Sequence, residues 1–353
     1  MADTIKCPNC GSNLILNADT QKLECSSCGA AFIPDELDVT VEELEKKSET
    51  NEETTTDAGN EQPEHTEFVC NACGAKLITD SHTAATFCAF CGSPALVGKR
   101  LTEKFQPQYI IPFKYSRESA ENAFIKWAGK GKWTPFGFVS KNNIKKLTGL
   151  YVPFWLFNID ATVHIGGKGT IIHSHYNYDE YDYYDFERLG KHRWTNIPLD
   201  GETRIDDELM EAIEPFYLNS LIPYDYKYLP GFYADKFDLT ASDLSARATK
   251  RGMDGIKHEI QESVSGYSRH TIKWNKSKID SMEANYALLP VWFLSYKYHD
   301  KFYYFAMNGQ TGEVAGNLPY SPIKKVMIFS VLLAVFAVIT RLILGIFMRG
   351  IWG

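Results

Sequence analysis

Two short runs, Cys7-Pro8-Asn9-Cys10-Gly11 and Cys25-Ser26-Ser27-Cys28-Gly29, decide how the N-terminal part of the chain is read. Two cysteines three apart on a tight knuckle present both sulfurs to one ion. Two such knuckles close a tetrahedral four-sulfur site. A glycine after the second cysteine permits a positive φ, so nearby amides can turn toward the thiolates. The arrangement recurs 63 residues later as Cys70-Asn71-Ala72-Cys73-Gly74 and Cys88-Ala89-Phe90-Cys91-Gly92, again with 14 residues between knuckles, and it uses all eight cysteines. The spacing predicts two zinc ribbons, at residues 1–34 and 68–100, and two structural Zn2+ ions. Cys7, Cys10, Cys25 and Cys28 would hold the first ion, and Cys70, Cys73, Cys88 and Cys91 the second. A closed site of this kind organises a fold and leaves no position for water, so it performs no chemistry. Iron of the rubredoxin kind and a catalytic zinc are the lesser alternatives. Disulfides would require an oxidising compartment, and the opening Met-Ala-Asp-Thr-Ile-Lys has no apolar signal segment.

Outward from the ribbons the charge is uneven. The 353 residues carry 37 basic and 44 acidic side chains, a net charge of −7, which argues against a polybasic nucleic-acid binder. Residues 35–67 hold 13 of the acids against Lys46 and Lys47. That composition has almost nothing to bury and predicts a disordered acidic linker, with a short helix over Val39–Lys47 or an acidic docking peptide as alternatives. Twenty Tyr and twenty-one Phe indicate a real core elsewhere and exclude global disorder.

Residues 101–320 read as an α+β body with an antiparallel sheet. Ser116 can cap a helix with Ala120, Ala123, Phe124 and Trp127 on one face, ending near Gly129 and Gly131. Further helices are expected over Asp206–Ile213 and Ser242–Val264, the latter loosened by Gly252 and Gly255. Strand-like runs are Tyr109–Phe113, Tyr151–Phe157, Thr162–Ile165, Thr170–His173, Leu288–Leu294 and Phe302–Met307. Asn308-Gly309 predicts a type I′ hairpin turn into Thr311–Val314. Ile111-Pro112-Phe113 and Val152-Pro153-Phe154-Trp155 are echoed by Ile222-Pro223-Tyr224 and Leu289-Pro290-Val291-Trp292, a weak internal duplication. No catalytic constellation stands out. Ile165-Gly-Gly-Lys-Gly-Thr170 lacks the spacing of a phosphate-binding loop and reads as a glycine-rich hairpin. His173 and His175 fall on one strand face, with His164 on a paired strand, and could take a metal or be plain surface imidazoles. Tyr176 to Phe186 mixes tyrosine with acid, as an interface does, or is a two-faced strand with its acids outside.

Val326 to Met348 is a run of 23 residues with one charge, Arg341. As a helix it is roughly 34 Å long, enough for a hydrocarbon layer of about 30 Å. Lys324 and Lys325 precede it and Arg349 follows. A single-pass C-terminal transmembrane helix over 326–348 is expected, in the cell membrane, with the N-terminal body on the cytoplasmic side. Eight thiols needing a reducing compartment point the same way. Arg341 would either meet a partner on another membrane helix or sit near the headgroups.

With these residues in view, the chain resembles a bacterial family of membrane-anchored proteins with a TFIIB-type zinc ribbon. The likeness rests on the knuckles, on Leu199-Asp-Gly and Asp206-Asp-Glu-Leu-Met-Glu-Ala-Ile-Glu-Pro-Phe216, and on Tyr228-Leu-Pro-Gly-Phe232. It extends to Leu289-Pro-Val-Trp292 and Asn308-Gly-Gln-Thr-Gly-Glu-Val314. The resemblance implies membrane recruiters in envelope-stress systems built around phage-shock-protein-A-like or flotillin-like proteins, and brings no catalytic residues. The expectation is therefore a non-enzymatic adaptor that docks cytosolic proteins at the lipid bilayer, with no small-molecule substrate. A membrane-tethered zinc ribbon that binds nucleic acid is the alternative, carried best by Lys76, Lys99, Arg100 and Lys104 of the second ribbon. An enzyme in the middle region is the third class.

Overall fold

The structure, a computed structural model, describes residues 5–37, 65–69, 76–80, 83–87, 94–96, 106–135, 137–203, 205–235, 237–298 and 301–351. Cys70, Cys73, Cys88 and Cys91 lie outside these residues, as do 38–64 of the acidic linker. The first ribbon is a three-stranded sheet of β1 (Leu14–Asn17), β2 (Lys22–Cys25) and β3 (Ala31–Phe32). Then come β4 (His65–Val69), β5 (Lys76–Asp80), β6 (Thr83–Phe87), β7 (Pro94–Leu96) and β8 (Tyr109–Ile110). The body continues with α1 (Arg117–Gly129), α2 (Lys141–Ile144), β9 (Thr148–Ser174), β10 (Asp179–Asp200) and α3 (Asp207–Ala212). The rest comprises β11 (Ile222–Pro223), β12 (Tyr233–Asp235), α4 (Ser245–Ser263), β13 (Arg269–Asn275), β14 (Lys278–Tyr298), β15 (Lys301–Asn308), β16 (Val314–Gly316) and α5 (Pro322–Ile351). The result is an α+β fold with antiparallel sheets, a cysteine cluster near the N-terminus and one apolar C-terminal helix.

The spine is β9, a single strand of 27 residues. Along one edge it meets β14, from Thr148 to Thr162, and then β13, from Ile165 to Thr170. Along the other it meets β12 at Leu150 and Tyr151, and then β10 from Phe154 to Ser174. The strand therefore belongs to the body at its start and to a projecting three-stranded arm at its end. Val152-Pro153-Phe154-Trp155 and Leu289-Pro290-Val291-Trp292 lie side by side and antiparallel, with Val152 opposite Leu289. Antiparallel pairing of equivalent residues is what a local two-fold relation between halves produces.

Side chains alternate across a strand, so β9 supplies two different faces. Tyr151, Phe157, Ile159, Ala161, Val163 and Ile165 are buried on one. The ribbon and α1 cover the first part of this face, and α4 covers the remainder through Ala248, Gly252, Ile256 and Ile260. Burying Ile256 and Ile260 contributes about 2 kcal/mol each. On the other face Val152, Phe154 and Leu156 pack with Met210, Ile213 and Phe216 of the α3 region. From Asp160 onward that face carries Asp160, Thr162, His164 and Lys168, none of them buried.

Four expectations are corrected here. Residues 151–173 form one strand rather than three, and Gly166, Gly167 and Gly169 lie in its middle rather than in a hairpin. Their missing side chains make room for neighbours: a Cβ at Gly166 would strike the Trp274 ring, and one at Gly169 the Tyr267 ring. A Cβ at Gly167 would meet the Thr271 carbonyl. Gly252 and Gly255 do not loosen α4 but bring it against Ile159, Ile279 and Trp194. His164 shares β9 with His173 instead of facing it from a paired strand. Finally, Asn308-Gly309 is not a type I′ turn, which needs positive φ at both residues. Only Gly312 has it in this loop, φ 82°, and the Asn308 amide donates to the Glu313 carbonyl across a wider turn.

Asn308 is instead a buried clamp. Its Nδ2 donates to the carbonyls of Ile213 and Pro215 at 3.0 and 3.2 Å, and its Oδ1 accepts from the amides of Gln310 and Thr311. All four hydrogen-bonding valences of the side chain are used. Asn308→Ala is expected to destabilise the detergent-solubilised full chain by about 3 kcal/mol in urea unfolding, since it strands several buried backbone groups. A loss near zero would contradict the clamp.

Candidate metal centre and its surroundings

Each knuckle of the ribbon closes the same way. The Cys7 amide donates to the Ser12 carbonyl at 2.7 Å and the Gly11 amide to Cys7 at 2.8 Å. The Cys25 amide donates to Ala30 at 2.8 Å and the Gly29 amide to Cys25 at 2.9 Å. Gly11 and Gly29 both have φ 73°, the conformation expected of them. Cys7 and Cys25 are buried, whereas Cys10 and Cys28 are exposed, so each knuckle gives one inner and one outer sulfur. Cys7 and Cys28 have their sulfurs 3.6 Å apart, Cys10 and Cys25 3.5 Å, and all four lie within 4.8 Å of one another. A tetrahedron with metal–sulfur bonds of about 2.3 Å has edges of about 3.8 Å, so the set can hold a metal ion.

Electrostatics favour a cation there. The Ser12 hydroxyl and amide, with neighbouring thiols, hold Cys10 down at about 6. Cys28 goes the other way: the Ala30 amide favours its thiolate, but the sulfurs of Cys10 and Cys25 oppose it and push it up to about 12. Four thiolates this close cannot coexist without positive charge among them, which a divalent ion supplies.

The ribbon is not a free module. Ile5, Leu14, Leu16, Leu23 and Leu37, together with Cys7 and Cys25, share one buried cluster with Phe113, Tyr151, Phe232 and Trp292 of the body. Phe113 and Phe232 stack at 4.0 Å behind this contact. The Leu16 amide donates to the Pro230 carbonyl at 2.9 Å, and the Gln21 side chain reaches the Phe113 carbonyl. Gly231, φ 103°, brings the backbone against Ile15. A groove of about 760 Å3 runs along the seam, with Asn17, Glu24 and Ser26 on the ribbon side and Arg117 and Lys145 on the body side.

The histidines do not assemble. His164 and His173 are nine residues apart on one strand, roughly 30 Å, and on opposite faces. His164 meets Glu187 at 2.7 Å, His173 meets Asp182 at 3.4 Å and His175 meets Glu180 at 3.5 Å. Of Tyr176 to Phe186 only Phe186 is buried, while Tyr183 remains 77% exposed, so acids and tyrosines alike face solvent. The Asp206–Phe216 stretch turns out to be a grip on α4, a role its sequence alone did not suggest. Arg247 binds Asp200 at 3.1 Å, Asp207 at 2.9 Å and Glu211 at 3.0 Å. Arg251 binds Glu211 at 3.2 Å and Glu214 at 3.0 Å. Carboxylates at i, i+4 and i+7 facing arginines at i and i+4 was the available signal.

At the other end, α5 is long and apolar enough to cross a bilayer. Ser321 caps it by accepting from the Lys324 amide, and the Lys324 amine donates to the Thr134 carbonyl at 2.9 Å. Lys325 and Arg341 are exposed. Arg349 lies on the helix, and its side chain is outside the described residues.

The chain is 36% identical to the uncharacterized protein YdjG of Bacillus subtilis over 328 residues, covering 91% of each chain. No protein-family model matches it. No solved structure matches it.

Two outcomes follow from this geometry. Cys25→Ser removes an inner sulfur, so metal content should fall in elemental analysis and the melting temperature of the full chain should drop by roughly 10 °C. Burial pushes the Asp200 carboxyl up to about 6, against the pull of Arg247. Its protonated form therefore stabilises the fold at low pH, and that contribution is lost as pH rises through about 6. Relative to Asp200→Asn, the wild-type chain should lose up to about 3 kcal/mol between pH 4 and 7, read from urea midpoints. Parallel pH profiles would contradict this.

Proposed function

This chain belongs to the family of Bacillus subtilis YdjG, and on that footing we propose that it is a non-enzymatic adaptor anchored in the membrane by α5. Zn2+ is the ion that a closed four-cysteine site suits best, and it is assigned here to Cys7, Cys10, Cys25 and Cys28. A second Zn2+ is assigned to Cys70, Cys73, Cys88 and Cys91 on their matching spacing. The body faces the cytoplasm, where thiols stay reduced. Its partners are cytosolic proteins of an envelope-stress system, of the phage-shock-protein-A-like or flotillin-like kind that the TFIIB-type ribbon family implies.

The observation that carries the reading is the face of the arm that α4 leaves exposed among the described residues. Its outer part, residues 159–174 of β9, is about 50 Å long. Tyr181 opposite Ile172, Tyr183 opposite Thr170, Leu189 opposite His164 and Trp274 opposite Gly166 all sit on the face that α4 does not cover. Leu189 is 70% exposed. Exposed aromatic and aliphatic side chains on a rigid sheet present contact area at little ordering cost, which suits docking of another protein. The anchor raises the local concentration of whatever docks there.

The test is co-purification from native membranes. Wild-type protein should bring down a defined set of cytosolic proteins, and the same anchored chain with Tyr183→Ser and Leu189→Ser should lose them. Identical recovery by both, or recovery of nucleic acid in place of protein, would overturn the proposal.

A further inference from the structure

We propose that the body itself binds anionic phospholipid headgroups, through a lysine and aromatic surface surrounding the root of α5. The inference rests on the reading of α5 as a membrane anchor and adds the lipid chemistry that the soluble part recognises.

The root is fixed to the body, not hung from a flexible linker. The Ser321 amide donates to the Trp133 carbonyl at 2.9 Å, and Lys324 reaches the Thr134 carbonyl one residue on. Leu318 packs over Gly131 so closely that a Cβ there would strike it. The loop from Lys130 to Thr134 is thus held beside the first turn of the helix. Depth follows from the helical rise. The apolar run opens at Val326, five residues past Ser321, or about 7 Å along the axis. A headgroup layer is about 5–8 Å thick on each side of the hydrocarbon. Trp133 therefore stands at the outer edge of the headgroups when Val326 enters the acyl region.

The side chains at this level suit that environment. Lys130 and Lys132 flank the loop and are exposed, and so is Lys126, one turn earlier on the same side of α1. Lys325 is exposed on the helix, and Tyr320 is 48% exposed beside it. Trp127 and Trp133 are partly buried nearby. Tyr and Trp prefer the interfacial zone, and lysines at that level attract anionic lipids. No acid occurs between Asn122 and Ile159. Among the described residues, Lys126, Lys130, Lys132 and Lys325 make no ion pair, so their charge is not spent internally. The rest of the chain has the opposite character: removing these four lysines and Lys324 from the net −7 leaves −12. A chain that an anionic surface would otherwise repel thus carries a cluster of lysines where the anchor enters the lipid.

Position matters in this account, and α1 provides a control. Its other end lies about 18 Å away. There Arg117 donates to the Lys145 carbonyl at 3.0 Å, next to the ribbon groove, with Lys146 adjacent. Bulk attraction would use these lysines equally, whereas the proposed surface uses only those at the root.

The test uses the full-length protein in vesicles of phosphatidylcholine, with or without phosphatidylglycerol. Hydrogen exchange is read at the amides of 126–134 after flotation. Exchange should slow several-fold in the anionic vesicles. Lys126→Gln/Lys130→Gln/Lys132→Gln should return it to the neutral-vesicle rate, and Lys141→Gln/Lys145→Gln/Lys146→Gln should leave the slowing intact. Equal exchange in the two vesicles, or equal losses from both triple variants, would overturn the surface while leaving the anchor standing. So would slowing by added duplex DNA with neutral vesicles. Failure of the wild-type chain to float would remove the anchor and, with it, this inference.

Discussion

Four sulfur atoms within 4.8 Å of one another set the condition on which the N-terminal half of the architecture depends. Brought this close without a cation, they divide into thiols that ionise readily and thiols that resist, as Cys10 and Cys28 do. With a divalent ion the conflict disappears, and the two knuckles lock. The inner pair, Cys7 and Cys25, belongs to the same buried cluster as Phe113, Tyr151 and Trp292. An ion held there would therefore fasten one wall of the core and not merely a small appended module. A ribbon this small has too little apolar area to fold alone, and the body supplies the surface it lacks.

The second constraint is the length of β9. A strand that starts between β12 and β14 and ends between β10 and β13 must serve two environments with one alternation. Where both faces are covered, Val152, Phe154 and Leu156 are buried alongside Tyr151 and Phe157. Where only α4 covers it, from Asn158 to Ile165, the buried residues shrink to every second position. The glycines of 166–169 mark where rings press hardest on the backbone. The arginine grip of Arg247 and Arg251 ties α4 to the α3 segment and so fixes the helix that makes the arm one-sided. The continuous junction at Ser321 joins this rigid unit to the apolar helix without a spacer.

Much of this was legible in the residues. The knuckles announced themselves because metal ligation demands fixed spacing, and the cap at Ser116 stands where it was expected because a short acceptor must precede the first turn. The apolar terminal helix was equally plain. What the sequence concealed were features set by partners distant along the chain. Glycine in a run suggests a turn, yet here it answers to Trp274 and Tyr267, a hundred residues away. Asn308-Gly309 has the composition of a tight hairpin, but the Asn308 side chain is claimed by Ile213 and Pro215. The docking of the ribbon onto Phe232 and Phe113 left no local trace beyond apolar residues at Leu14, Leu16 and Leu23. Alternation from Asn158 to Ile165 was the local sign that the strand runs on past Phe157.

The claim at the centre is that a metal-locked ribbon and the body form one cooperative unit. Hydrogen exchange of the solubilised full chain, with and without a strong chelator, addresses it most directly. The account predicts that chelation deprotects residues 109–113 and 229–234 of the body together with 14–25 of the ribbon. Loss of protection confined to residues 7–28, with the body unchanged, would contradict it.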